Sequence, residues 1–134
     1  MNKRLVRTIE LAQALMPIKS TGRVFHLATI YDGPRLLSIG YNNYKHEHLR
    51  HKYGEYKALR GGENNYVAGR HAEAVAINKL RGDKNNLTMC VVRIDKNGNV
   101  CMSKPCGNCF SVIRPLNFKQ VIYSININEY GIIE

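Results

Sequence analysis

Two short stretches of the 134-residue chain carry side chains that could together hold a metal ion and move a proton. The first is His71-Ala72-Glu73, and the second is Pro105-Cys106-Gly107-Asn108-Cys109. Imidazole and thiolate groups are ligands that Zn²⁺ prefers, and three protein ligands leave the fourth tetrahedral position for water. The sequence therefore predicts a zinc site formed by His71, Cys106 and Cys109.

Glu73 is predicted to act on that water rather than to bind the metal. Residues two positions apart do not face the same way on a helix, so Glu73 should not join His71 as a ligand. Zinc lowers the pKa of its water towards neutrality, and a nearby carboxylate can take the proton and pass it to a substrate. A purely structural zinc site generally has four protein ligands, whereas only three occur here at motif spacing, which favours a catalytic site.

Hydrophobic periodicity predicts the elements that must position these residues. Apolar residues three and four apart indicate a first helix from Leu5 to Met16, ended by Pro17. Asp32-Gly33-Pro34 and Asn97-Gly98 predict turns. Strands are expected at residues 24–31, 35–41, 88–94, 120–125 and 131–134, and two further helices at residues 70–81 and 106–114. This order predicts one α/β domain over residues 1–134, with helices on the faces of a mixed five-stranded sheet and an antiparallel final hairpin.

Composition narrows the class of protein. Hydrophobic residues make up 44% of the chain, which excludes a disordered protein, and no apolar run is long enough to span a membrane. We therefore expect a cytoplasmic protein without a membrane partner. The net charge of +10 suits a phosphorylated or polyanionic partner, although a merely basic surface would give the same value. Cys90 and Cys101 are expected to be ordinary core residues.

The two motifs also carry a family resemblance. His-x-Glu followed by Pro-Cys-x-x-Cys resembles the signature of zinc-dependent nucleobase deaminases, and residues 24–133 look like the cytidine/deoxycytidylate deaminase superfamily in element order. The resemblance implies a three-layer α/β/α cytidine deaminase-like fold with Zn²⁺ as cofactor. It also implies hydrolytic deamination of a cytosine nucleoside or nucleotide (cytidine, deoxycytidine or dCMP) to the uracil form, with release of ammonia.

Candidate substrate contacts come from the same resemblance. Gly40-Tyr41-Asn42 resembles the family's Gly-x-Asn at the end of the second strand, which implies that Asn42 contacts the sugar or base. Asn43 is the alternative in a shifted register. Ala72 would offer a backbone group to the pyrimidine edge. His26, in the first strand, is either a core histidine or a substrate contact on the pocket wall.

The resemblance leaves the substrate class open. A histidine ligand at His71 is similar to the deoxycytidylate, tRNA-adenosine and polynucleotide branches, whereas an antiparallel final hairpin is similar to the cytidine deaminases. The short chain favours a small-molecule nucleoside or nucleotide. A deaminase of cytosine or adenosine in single-stranded DNA or RNA is the first alternative, and a catalytically silent zinc-containing binding domain is the second. The family also suggests a homo-oligomer, and His46, His48 and His51 are either surface histidines or ligands of a second metal ion.

Overall fold

The computed structural model describes residues 2–19, 24–42, 72–80, 86–105 and 118–134. The described part of the chain is an α/β protein with a mixed sheet of six strands and two helices. In chain order the elements are α1 (Lys3–Lys19), β1 (Phe25–Asp32), β2 (Arg35–Tyr41), α2 (Ala72–Asn78), β3 (Leu87–Ile94), β4 (Val100–Cys101), β5 (Phe118–Ser124) and β6 (Tyr130–Ile133).

Helix α1 is longer than the sequence predicts. Its start is capped by Asn2, whose side-chain oxygen accepts hydrogen bonds from the backbone N–H groups of Arg4 and Leu5. The prediction that Pro17 ends the helix was wrong, because α1 continues to Lys19. Pro17 removes only the N–H that would bond to the carbonyl of Gln13, and both residues are exposed, so water can satisfy that carbonyl.

The first two strands form the predicted antiparallel hairpin. Asp32 pairs with Arg35 across the turn, and Gly33 has the positive φ of 58° that a tight turn favours. The pairing contains a bulge between Ile30 and Tyr31. The final hairpin of β5 and β6 is also antiparallel, as predicted.

The main path of the sheet runs in the order β2-β1-β3-β5-β6. Only β3 and β5 pair in parallel, which makes the sheet mixed as predicted. The prediction of five strands was wrong by one, because β4 adds a short sixth strand beside β3. The carboxylate of Asp95 accepts hydrogen bonds from the backbone N–H groups of Asn97 and Asn99, and this turn brings β4 back against β3.

Among the described residues, α1 packs on one face of the sheet and α2 on the other. We call the side on which α1 packs the α1 face; its buried side chains are Leu5, Ile9, Ala12, Phe25, Leu27, Tyr31, Cys90, Val92, Ile94, Val100 and Ile122. We call the opposite side the α2 face; its buried side chains are Ala28, Ile30, Ala72, Ala76, Leu87, Met89, Val91 and Val121. Neighbouring residues of β1 and β3 alternate between these faces, as expected for strands.

Neither helix in the described part of the chain is long and apolar enough to cross a membrane.

Candidate functional site

Glu73, the predicted proton-transfer residue, lies in the first turn of α2. Its side chain is only 4% exposed, and Ala72 beside it is fully buried. A carboxylate near a helix N-terminus is favoured by the partial positive charge there, but burial of a carboxylate is costly unless the surroundings compensate. The structure therefore holds an acidic side chain in the interior at the position that the motif predicts.

Close backbone contact fixes α2 against β2. A Cβ atom added to Gly40 would collide with the backbone nitrogen of Ala76 and the backbone oxygen of Ala72, and would lie 2.9 Å from the Cα of Ala76. All three are backbone atoms, so a side chain here could be accommodated only by moving the helix. Gly40 is thus the residue that lets α2, and with it Glu73, lie this close to the sheet.

Two side-chain hydrogen bonds hold the same helix from its other end. The hydroxyl of Ser38 donates to the carbonyl oxygen of Ala76 at 2.7 Å, and the ammonium of Lys79 donates to the carbonyl oxygen of Ile39 at 2.9 Å. From residue 38 to residue 40 along β2, the contacts with α2 extend from residue 76 back to residue 72. Helix α2 therefore runs antiparallel to β2. The N-terminus of α2 therefore points to the edge of the sheet where β2 ends.

Asn42, a predicted substrate contact, lies at that edge and joins the end of β2 to the start of β1. Its side-chain oxygen accepts a hydrogen bond of 2.8 Å from the backbone N–H of His26, and its amide nitrogen donates to the carbonyl of Val24 at 2.9 Å. The side chain is 8% exposed. With their partners among the described residues, these two hydrogen bonds use one N–H and one lone pair of an amide that has the capacity for more.

His26 lies beside Asn42 and is half-buried. Its backbone exchanges hydrogen bonds with Asn42, through the N–H of His26 to the side chain and the N–H of Asn42 to the carbonyl of His26. The structure thus brings His26 to the same edge of the sheet as Asn42.

The segment that leads to the cysteine pair is anchored between β3 and β5 by two hydrogen-bonded serines, Ser103 and Ser124. We call this pair the serine fork. The hydroxyl of Ser103 donates to the carbonyl oxygen of Val91 at 2.7 Å and accepts from the backbone N–H of Ser124 at 2.8 Å. The backbone N–H of Ser103 donates to the carbonyl oxygen of Ser124, and the hydroxyl of Ser124 donates to the carbonyl oxygen of Cys101. Both serines are buried, so this network fixes where the chain stands just before residue 106.

The two anchors lie on one row of residues across the sheet. Gly40 pairs with Ala28, Ala28 with Val91, and Val91 with Tyr123. Helix α2 contacts this row at Gly40, and Ser103 contacts it at Val91. These contacts are two strand spacings apart, or about 10 Å. The start of α2 at residue 72 and the chain that follows Ser103 towards residue 106 therefore lie near each other, at the same edge of the sheet.

The proposed metal ligands lie outside the described residues. His71, Cys106 and Cys109 belong to this group, as do Asn43 and the loop histidines. Within residues 2–19, 24–42, 72–80, 86–105 and 118–134, no three His, Cys, Asp or Glu side chains lie close enough to hold a metal ion. The residues that flank the predicted ligands, Ala72 and Pro105, are both buried.

Cys90 and Cys101, the two cysteines in the described part of the chain, form no disulfide. Cys90 is fully buried on the α1 face, as predicted, and burial raises the pKa of its thiol to about 11. It is therefore a neutral thiol at physiological pH. Cys101 is half-buried rather than a full core residue, and its thiol donates to the carbonyl oxygen of Asn99.

Sequence reasoning missed the residues that position the site. Gly40 was identified only as part of a resemblance, although a glycine inside a strand often marks a close approach of another backbone. Ser38 has no comparable sequence pattern, because a serine on a half-buried strand is ordinary. Ser103 and Ser124 are far apart in the chain, and their pairing follows only from the way β3 and β5 diverge.

Comparison with known proteins gives no family assignment, since the chain matches no protein-family model and no curated protein is significantly similar to it. What the chain does must be inferred from its own residues.

Proposed function

We propose that this protein is a zinc-dependent hydrolytic deaminase that converts a cytosine nucleoside or nucleotide to the uracil form with release of ammonia. The observation that carries the proposal is the buried carboxylate of Glu73 in the first turn of α2. Its helix is held against Gly40, on the same cross-strand row as the serine fork that precedes the cysteine pair. The proposed fold is the three-layer α/β/α arrangement of the cytidine deaminases, and the proposed enzyme is a cytoplasmic homo-oligomer.

The donor set suits the proposed metal. His71, Cys106 and Cys109 would hold Zn²⁺, and the two thiolates would balance its charge. Bound zinc supplies a water molecule whose pKa is lowered towards neutrality. Gly40 fixes the helix that follows His71, and Ser103 fixes the chain that precedes Cys106. These two anchors are about two strand spacings apart, a separation that an imidazole and two cysteine side chains could bridge around one ion.

Glu73 would move the protons of the reaction. Its carboxylate would take a proton from water, give it to the ring nitrogen of the base, and later help to protonate the departing amine. Asn42 would use its further hydrogen-bonding capacity to orient the sugar or base, and Ala72 would offer a backbone group to the pyrimidine edge.

The antiparallel pairing of β5 and β6 supports a small-molecule substrate. Among the deaminases that this chain resembles, such a final hairpin is typical of enzymes that act on free nucleosides, whereas the nucleic-acid editing enzymes usually have a parallel final strand. We therefore place a nucleoside or nucleotide ahead of single-stranded DNA or RNA.

The test is ammonia release by the zinc-loaded protein, with zinc content measured on the same samples. The substrates are cytidine, deoxycytidine, their monophosphates, single-stranded DNA and single-stranded RNA. In the Glu73→Gln variant we expect turnover to fall by about 10²- to 10⁴-fold, with zinc content unchanged. The matched control is Glu10→Gln, which makes the same chemical change at an exposed position of α1 and should leave turnover unchanged.

The possible results separate the competing functions. Release of ammonia from a monomer, lost only in Glu73→Gln, would establish the proposed reaction. Release from a polymer alone would move the protein to the nucleic-acid editing enzymes. Stoichiometric zinc without turnover of any substrate would overturn the proposal in favour of a silent zinc-containing domain.

A further inference from the structure

A second concave region lies far from the candidate site, between the first turn of α1 and the turn of the β1–β2 hairpin. We call it the α1 pocket; its volume is about 350 Å³ and its walls are formed by Asn2, Lys3, Arg4, Arg7, Tyr31 and Pro34. Pro34 precedes β2 and Gly40 lies near its other end, which places the pocket about 20 Å from the anchor of α2 along that strand. The α1 pocket therefore cannot belong to the candidate active site.

The α1 pocket is strongly cationic. Lys3, Arg4 and Arg7 contribute to its walls, and no carboxylate from residues 2–19, 24–42, 72–80, 86–105 or 118–134 does. The Nε of Arg4 donates to the carbonyl oxygen of Gly33 at 2.8 Å, which fixes this guanidinium and leaves its other N–H groups available. The exposed side chains of Lys3 and Arg7 make no hydrogen bond or ion pair with any residue that the structure describes. Three positive charges thus surround the pocket without an anionic partner from the described residues.

The position of these cations on the helix strengthens the argument. The N-terminal end of a helix carries partial positive charge, and acidic side chains are the ones that stabilise it. The first turn of α1 contains no acidic residue and instead holds Lys3 and Arg4. Asn2 already satisfies two of the free backbone N–H groups. The unbalanced charge therefore resides on side chains that can reach a bound anion.

Tyr31 provides an independent observation. Its side chain is only 1% exposed and forms part of the pocket wall, yet its hydroxyl has no hydrogen-bond partner in the described part of the chain. Buried tyrosine hydroxyls normally find a partner, because leaving one without a hydrogen bond is unfavourable. The hydroxyl oxygen is itself inaccessible to solvent, so an oxygen-rich anion in the pocket would supply the missing acceptor after a small shift of the ring or of the pocket wall.

We propose that the α1 pocket binds the phosphate group of a small phosphorylated molecule. Lys3, Arg4 and Arg7 supply the charge, and the hydroxyl of Tyr31 donates a hydrogen bond to a phosphate oxygen. The volume is that of a pocket for a small ligand, with space beyond the phosphate for a modest organic group. This binding site does not depend on the proposed deaminase activity.

Calorimetric titration of the full chain tests the proposal with inorganic phosphate, phenyl phosphate and a nucleoside monophosphate at constant ionic strength. The double variant Lys3→Gln/Arg7→Gln should weaken phosphate binding by about tenfold or more. Its matched control is Lys96→Gln/Lys119→Gln, which makes an equal change in net charge at exposed positions elsewhere and should leave the affinity unchanged. Tighter binding of the monoesters would identify an organic phosphate as the ligand, and equal binding would identify free phosphate.

Tyr31→Phe distinguishes a binding role of the hydroxyl from a structural one. Because the hydroxyl has no partner within the described residues, its removal should leave the melting temperature unchanged or raise it. The same variant should bind phosphate several-fold more weakly. The proposal is overturned if the wild-type protein shows no saturable binding of any of the three compounds, or if the two double variants lose affinity equally.

Discussion

The two faces of the sheet are built in different ways. The α1 face is filled by large side chains such as Phe25 and Leu27, which lie under a helix of 17 residues. On the α2 face, Gly40 and Ala28 allow a seven-residue helix to approach until backbone touches backbone. Both helices make hydrogen bonds to the sheet or its turns, such as Thr8 to Thr29 at 2.7 Å for α1 and Ser38 to Ala76 at 2.7 Å for α2. The difference is that α1 packs on large side chains, whereas α2 packs backbone against backbone.

This difference separates stability from positioning. Burial of large apolar groups contributes free energy in proportion to area but tolerates small shifts. Backbone contact contributes less area, yet it admits few alternative positions for the helix. Glu73 lies on the helix that approaches the sheet by backbone contact, so the group proposed to transfer protons is on the face where the helix has few alternative positions.

The largest expected effect comes from breaking the α1 face. Leu27→Ala removes a fully buried side chain and should lower the free energy of unfolding by about 3 kcal/mol, since a cavity is left behind. Urea denaturation measures this loss. Turnover per folded molecule should stay close to that of the wild type, and a large drop at full folding would show that the two faces are not independent.

Gly40→Ala tests the α2 face. The new methyl group would meet backbone atoms of α2, so we expect a loss of about 2 kcal/mol in unfolding free energy together with a displaced helix. Under conditions where the variant is still fully folded, the turnover of the proposed deaminase reaction should already be strongly reduced. Ser38→Ala is the control, because it removes one hydrogen bond to α2 without adding volume. An active, fully stable Gly40→Ala protein would contradict the contact argument.

The serine fork gives a smaller effect. Ser103→Ala leaves the backbone N–H of Ser124 and the carbonyl of Val91 without their partner, which should cost about 1.5 kcal/mol. In the double variant with Ser124→Ala, the losses should not add, because the two hydroxyls belong to one network. A double-mutant cycle by chemical denaturation measures the coupling, and strict additivity would show that the serines act separately.

The effect that is smallest at neutral pH appears only under alkaline conditions. Burial raises the pKa of Cys90 from 9.0 to about 11, so the folded state holds the thiol proton more tightly than the unfolded chain does. Below about pH 9 both states are protonated; between about pH 9 and 11 the folded state should progressively lose roughly 2 kcal/mol. Cys90→Ala should lack this decline, whereas Cys101→Ala should retain it. Parallel alkaline unfolding curves for wild type and Cys90→Ala would refute the assignment.

Features set by local patterns were predictable from the sequence. The β1–β2 turn follows from Asp32-Gly33-Pro34, and β2 occupies residues 35–41 as expected, because alternation and turn residues act over a few positions. The prediction that Pro17 ends the helix was wrong, since a proline in the last, solvated turn removes only one backbone hydrogen bond, which water can replace. The short β4 was missed because its two residues pair only through the turn that Asp95 organises.

The sequence predicts the chemistry of the candidate site but not the contacts that position its residues. Glu73 stands out because of its neighbours in the motif, and its burial is consistent with that interpretation. The contacts that hold its helix join residues 38 and 40 to residues 72 and 76, and no local pattern reports a pairing across that distance. The same reason hides the α1 pocket, where Tyr31 meets the first turn of α1.

The central place of β3 also has a kinetic consequence. The hairpins β1–β2 and β5–β6 join neighbours in sequence, but β3 lies between them and pairs Leu27 with Val92, about half the chain away. The hairpins can therefore form early, whereas the row through Gly40, Ala28 and Val91 is completed only when β3 inserts. Refolding should be limited by that late insertion, and the candidate site should appear in the same slow step as the complete sheet.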